Sequence, residues 1–187
     1  MQQISNSPSS PVNFTSRLDV DDFTTNTFLT NRRLWVLQTY IGNIDDFEKA
    51  IRCAIQRRLD VKIAVLSPKS VQLKFRAKEL QILESEIEKH IWKTLNKLEV
   101  LSKENGFPDD YEVKIYDGTP TLGLYLLDNT LNLGIYWRNL NSTKGPNMVF
   151  NIDAQNIFSE QALMHFNHIW SNAQSINFRN PDWRNSV

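Results

Sequence analysis

The sequence predicts an α/β domain built on a mixed sheet. Three observations point there: a strand–helix–strand unit near the start, a hairpin pattern in the second half, and a 41% apolar content over 187 residues. That length suits one well-buried core better than two domains. Residues 1–18 are rich in Ser, Pro, Asn and Gln. They cannot bury enough apolar surface to offset their ordering entropy, so a disordered lead-in is expected. The domain is expected over residues 19–176. Residues 177–187 carry Trp183 but no periodicity, and are expected to form a loosely docked tail.

The elements follow in order. Leu34 to Ile41 (LWVLQTYI) is β-rich and mostly apolar, the pattern of a buried strand. Gly42-Asn43 breaks it, Asp45 is placed to cap the next helix, and Glu48 to complete a capping box. Phe47, Ala50, Ile51, Ala54 and Ile55 then recur at helical spacing, with Cys53 beside the stripe. Val61 to Leu66 (VKIAVL) is a second buried strand, which makes a parallel pair with a right-handed crossover. Ser67-Pro68 stops it, and Ser70 is placed to cap a helix starting near Val71. Leu83, Ile87, Ile91, Leu95 and Leu98 carry a helical pattern to about Glu104, with a break expected at Glu84-Ser85-Glu86. Gly106 and Pro108 end it. Tyr111 to Tyr116 alternates as a strand. Leu122 to Leu127 and Leu131 to Trp137 flank "DNT" as a hairpin, and Met148 to Ile152 adds another strand. Ser159 is placed to cap a closing helix with Leu163, Phe166, Ile169 and Trp170 on one face.

Composition narrows the function. The 21 basic and 21 acidic side chains cancel. A duplex-coating protein carries a basic excess or a basic face, so the balance argues against a nucleic-acid partner. Arg32-Arg33 and Arg57-Arg58 are short and separate, and Trp35, Phe47, Trp137, Phe166 and Trp170 fall in apolar stripes or strands. Core is therefore the better reading of the aromatics than a base-stacking platform. The single cysteine makes no intrachain disulfide, which suits a reducing compartment. The first residues lack a basic segment followed by an apolar run, so no secretory leader is expected. The apolar runs are too short for a membrane span. A cytoplasmic protein is expected.

Three stretches carry a resemblance to a known family. "FEKAIRCAIQRRLDVKIAVLSP" resembles a helix leading into a strand of the phospholipase D superfamily. "YEVKIYD" is similar to the strand before that family's catalytic hairpin. "TLGLYLLDNTLNLGIYW" overlays its H-x-K-x-x-x-x-D motif and the following glycine-containing strand. The likeness extends over about Leu34 to Trp170 and implies one phospholipase D-like half. By the same overlay Thr121 stands where the nucleophilic His belongs and Gly123 where the phosphate-binding Lys belongs; only Asp128 matches. Gly134 lies one position short of the family glycine.

The chemistry the resemblance implies needs an imidazole to attack phosphorus and an ammonium to offset charge on the phosphoryl oxygens. Thr121 offers a hydroxyl with no evident base, and Gly123 offers nothing. The expectation is a pseudoenzyme: a non-enzymatic sensing or interaction domain. The family also implies a homodimer, because its active members bring two copies of this unit together across one face. Comparable degenerate domains, in a looser resemblance, sit beside ATPase or helix-turn-helix modules in bacterial signalling and defence-type proteins, which implies a protein partner of that kind.

Two other readings stay open. Ligands of open α/β sheets settle beyond the carboxyl ends of parallel strands. Those ends supply Gln38, Thr39, Tyr40, Ser67, Lys69, Ser70, Asp117 and Thr119, with Arg76 in the following helix. Tyr40, Ser67, Ser70, Arg76 and Asp117 could hold a phosphate-bearing small molecule such as a nucleotide. Equally, the serines are caps and Arg76 an ion-pair partner. A phosphodiesterase using Tyr40, Asp117 or Asp128 is the remaining alternative. His165 and His168 share a helix face, but no third ligand is evident. No metal or cofactor is expected.

Overall fold

The structure is a computed structural model, and it describes residues 12–136, 144–152 and 157–187. Ahead of the first predicted strand lie β1 (Asn13–Thr15) and α1 (Val20–Leu29). The Asp19 carboxylate accepts from the N–H groups of Asp21 and Asp22 and so caps α1. Strand β2 (Arg33–Gln38), helix α2 (Ile44–Gln56) and strand β3 (Asp60–Leu66) form the expected βαβ unit. Helices α3 (Leu73–Leu80) and α4 (Glu84–Glu104) lead to β4 (Tyr111–Tyr116). The hairpin strands are β5 (Leu122–Leu127) and β6 (Thr130–Ile135), followed by β7 (Asn147–Asn151). Helix α5 (Ile157–Asn172), strand β8 (Gln174–Ser175) and helix α6 (Trp183–Ser186) complete the chain. Trp137, expected at the end of the hairpin, lies outside the described residues, as do residues 1–11.

One eight-stranded sheet results, in the order β1-β7-β6-β5-β2-β3-β4-β8. Strands β2, β3 and β4 run parallel, and β5 joins the other side of β2 antiparallel. The sheet is mixed, as predicted. Period-two alternation sorts its side chains onto two faces. Tyr125 packs against Phe23 of α1 and Phe47 of α2, with ring centroids 5.2 and 5.3 Å away. On the other face Trp35 stacks on Phe166 of α5 at 5.0 Å. Apolar cover on both faces is why β2, β3 and β5 read as near-continuous hydrophobic runs.

Several boundaries differ from expectation. Residues 13–15, assigned to the lead-in by composition, pair with β7, and Leu18 is buried. Asn43, not Asp45, precedes the first turn of α2. The Glu48 carboxylate is taken by Arg52 and Lys97, at 2.7 and 2.8 Å, rather than by a capping box. The break between α3 and α4 falls at Gln81, whose φ of 57° is left-handed, three residues before the polar run. The Leu83 N–H then donates to the Glu86 carboxylate at 3.0 Å. Ser159 sits inside the first turn of α5, buried, rather than ahead of it. The tail is also packed more firmly than expected. Phe178 and Trp183 are buried edge to face, 5.1 Å apart, and Arg184 donates to Glu99 at 2.5 Å.

Helix α4 stops as predicted. Gly106 adopts φ +73°, and the Phe107 N–H closes the turn on the Ser102 carbonyl at 2.8 Å. No atom lies within 4 Å of where a Cβ would sit on Gly106. Gly106→Ala should therefore cost only the backbone penalty, about 1 kcal/mol. Urea denaturation with an unchanged slope would confirm this; a loss several times larger would mean that the turn holds more than the helix end.

Candidate functional site

The parallel strands deliver their polar ends to one edge of the sheet. Gln38, Thr39 and Tyr40 leave β2 there, Ser67 leaves β3, and Asp117 leaves β4. Antiparallel β5 starts at the same edge, so Thr121 belongs to it too. Pro68 and the turn after it bring Ser70 and α3 back over this edge. Its center is Tyr136, just past β6, whose hydroxyl accepts from the Thr39 N–H at 2.9 Å and donates to the Gln38 Oε1 at 3.1 Å. The Arg76 guanidinium lies over the Tyr136 ring, 4.3 Å from its centroid, and Arg76 is only 2% exposed. Its Nη1 reaches the Glu79 carboxylate at 2.8 Å.

The serine pair is similarly engaged. The Ser70 hydroxyl donates to Asp117 Oδ1 at 2.6 Å and accepts from the Gln72 N–H at 3.1 Å. Ser67 Oγ accepts from the Lys69 N–H at 3.2 Å. Tyr40 stacks on His90 of α4, rings 5.0 Å apart. Burial pushes the Tyr116 phenol well up, with Tyr136 adding to the effect. The Tyr116 phenol is thus neutral over the working pH range. With Asp117 on Ser70 and Glu79 on Arg76, carboxylates stand beside both groups that an anion would seek.

Asp128 is elsewhere. It occupies the hairpin turn at the opposite end of β2, since Leu127 pairs with Leu34. The length of strand between them puts it about 20 Å from Tyr40. Its carboxylate accepts from the N–H groups of Asn31, Arg32 and Arg33 at 2.9, 2.8 and 3.1 Å. Burial alone would raise its pKa, but these three donors outweigh it and hold the carboxyl below its ordinary value. Thr121 is exposed just ahead of β5, and Gly123 is buried in β5 directly opposite Gly134. The structure thus gathers Tyr40, Ser67, Ser70, Arg76, Asp117 and Thr121 at one edge and leaves Asp128 at the other.

Tyr136 is the residue that sequence reasoning misses, because it reads as one more position of an apolar strand. A tyrosine closing a buried strand needs a partner for its hydroxyl, and that requirement is the available signal. His165 is half-buried, and burial with His168 nearby lowers its pKa. Among the described residues no three His, Cys, Asp or Glu side chains are grouped to hold a metal ion. No described helix is long and apolar enough to cross a membrane.

Neither protein-family comparison nor comparison with characterized proteins finds a match to the sequence. Solved structures do match the fold. The phosphatidylserine synthase of Haemophilus influenzae aligns over 88% of this chain and 39% of its own, with a TM-score of 0.59 at 13% identity. NucT from Helicobacter pylori aligns over 88% of this chain and 98% of its own, with a TM-score of 0.53 at 9% identity. The fold is phospholipase D-like. A third similar structure is TrmBL2, an archaeal chromatin protein described as showing a novel mode of DNA binding. It aligns over 93% of this chain and 57% of its own, with a TM-score of 0.52 at 15% identity. This phospholipase D-like half therefore spans little more than half of TrmBL2, well under half of the synthase, and nearly all of NucT.

Proposed function

We propose that this phospholipase D-like domain is non-catalytic and works by binding protein, with a second copy of itself as first partner, in a bacterial signaling or defence-type system. The motif overlay supports the reading: by it Thr121 and Gly123 stand where the resemblance implies a nucleophile and a phosphate-binding cation. Gly123 faces Gly134 across the hairpin and brings no functional group to the strand end. Tyr136 and Arg76 fill that edge with contacts to the domain itself. Exposed Val71, in the turn before α3, and exposed Phe75, in its first turn, lie beside the strand ends and support pairing there.

The test is hydrolysis of a chromogenic phosphodiester by the full chain. The expected rate equals that of buffer. Turnover that disappears in Tyr40→Phe or Asp117→Asn, with the fold retained, would overturn the reading in favor of a phosphodiesterase with non-standard groups. Burial of the Arg76 guanidinium at the strand ends favors a second reading, a regulatory module for a nucleotide or other phosphate-bearing molecule. Calorimetric binding of a nucleotide, lost in Arg76→Ala, would select it.

A further inference from the structure

We infer that residues 173–187 are an exchangeable strap: the dock that holds them in one copy of this chain is filled, in a two-fold dimer, by the same residues of a second copy. What already lies in the dock identifies its occupant. Strand β8 pairs with β4, Lys114 opposite Ser175, and the Ile176 N–H donates to the Val113 carbonyl at 2.9 Å. Ile176 and Phe178 are buried, and Trp183 lies 6.2 Å from Trp92 of α4. Arg179 donates to the Phe107 carbonyl at 2.6 Å and to the Asp109 carboxylate at 2.9 Å. Arg184 reaches Asn96 at 3.0 Å and Glu99 at 2.5 Å. These partners belong to α4, β4 and the turn between them. None belongs to α5, the helix that joins the strap to the rest of the domain.

The hinge is one residue long. Helix α5 ends at Asn172 and β8 begins at Gln174, with Ala173 alone between them. Helix α4 is stopped by Gly106 and Pro108, but no Gly or Pro occurs between Ile157 and Asn180. Ala173 and Gln174 are good helix formers. The chain leaves the helix here because the strap is docked, not because the local sequence turns it. An open hinge lets α5 run on and carries the strap away from its own dock.

Short hinges favor exchange of this kind. Strand β8 is the last in the sheet, so the hinge stands at the sheet margin, where a second copy can approach. In the exchanged dimer each dock receives the other copy's strap, the docking contacts are all remade, and neither β4 edge is left open. A strap tethered to its own dock has an effective concentration in about the millimolar range. Exchange is therefore a high-concentration state, and the hinge sets its threshold. This pairing is separate from the one at the strand ends and does not depend on it.

A disulfide placed across the dock tests this. Lys114→Cys with Ser175→Cys, in a Cys53→Ser background, sets two thiols on facing strands. The full chain is held at about 10 µM and about 1 mM in urea below its unfolding transition, so that straps release and redock, and is then oxidized. Monomer and dimer fractions are separated and denatured without reductant. The expected dimer fraction grows with concentration and its chains stay linked in pairs, while chains of the monomer fraction carry the bond internally. A dimer held only at the strand ends would instead fall apart into internally bonded single chains. Adding Val71→Lys and Phe75→Lys should therefore leave the linked dimer in place. Three glycines inserted after Ala173 relax the hinge and should lower the linked fraction about tenfold. The inference is overturned if neither concentration yields linked pairs, or if the insertion leaves their fraction unchanged.

Discussion

Asp128→Ala is expected to destabilize the domain by about 2–3 kcal/mol. The carboxylate accepts three backbone N–H groups from Asn31, Arg32 and Arg33. Donors near the surface can return to water, so the loss falls short of three full charge-assisted bonds. Alanine must also adopt the left-handed backbone at this position, where φ is +47°. Asn tolerates that conformation, so Asp128→Asn isolates the charge and should cost less than Ala. The pH dependence has a definite sign. The folded-state pKa lies below the ordinary 3.8, so the charge contribution is complete well above that value. It fades as pH falls through 3.8 toward the folded-state pKa. Urea denaturation at several pH values checks this. The wild-type advantage over Asp128→Asn should be constant near neutrality and shrink in acid; an advantage that grows in acid would exclude this assignment.

Trp183→Ala is expected to cost about 3–5 kcal/mol, the usual range for truncating a buried Trp. Trp183 is 1% exposed, meets Phe178 edge to face at 5.1 Å, and lies 6.2 Å from Trp92 of α4. Beside it, Arg184 reaches Glu99 at 2.5 Å, while Lys103 holds the other oxygen at 2.7 Å. Burial works against ionization of Glu99, and its hydrogen-bonding and cationic neighbors outweigh it, so the carboxyl stays below its ordinary value. Equilibrium unfolding of Trp183→Ala and Trp183→Phe measures the anchor. Phe should recover part of the loss. A loss under about 1 kcal/mol for Ala would mean that the tail docks without contributing to the global fold.

The difference between these sites shows what the sequence makes legible. Strands β2 to β5 and helix α2 are readable because each is long enough to display a pattern, and burial enforces it. Strand β1 has three residues, too few to alternate, and exists only because β7 offers it an edge. The tail is unreadable for a related reason. It is held by isolated anchors, Phe178, Trp183 and Arg184, rather than by a stripe. Asp128 is legible as a motif position but not as a backbone acceptor, because its three donors are 95 to 97 residues away in sequence. Topology alone brings the strand-end residues to one edge. Part of how they engage one another rests on Tyr136, which joins Gln38 and Thr39 at the end of β2, 98 and 97 residues away in sequence.

Those long separations have a consequence for how the chain is made. Strand β2 emerges from the ribosome shortly before β3 and can pair with it soon afterwards, but its other neighbor, β5, is synthesized only after α3, α4 and β4. In the interval the central strand of the finished sheet is an outer one, with Leu34, Trp35, Val36 and Leu37 available to any passing strand. The loop-closure entropy of joining β5 to β2 must then be met late. A nascent chain stalled before the hairpin would present that unfinished edge to chaperones and to other nascent chains.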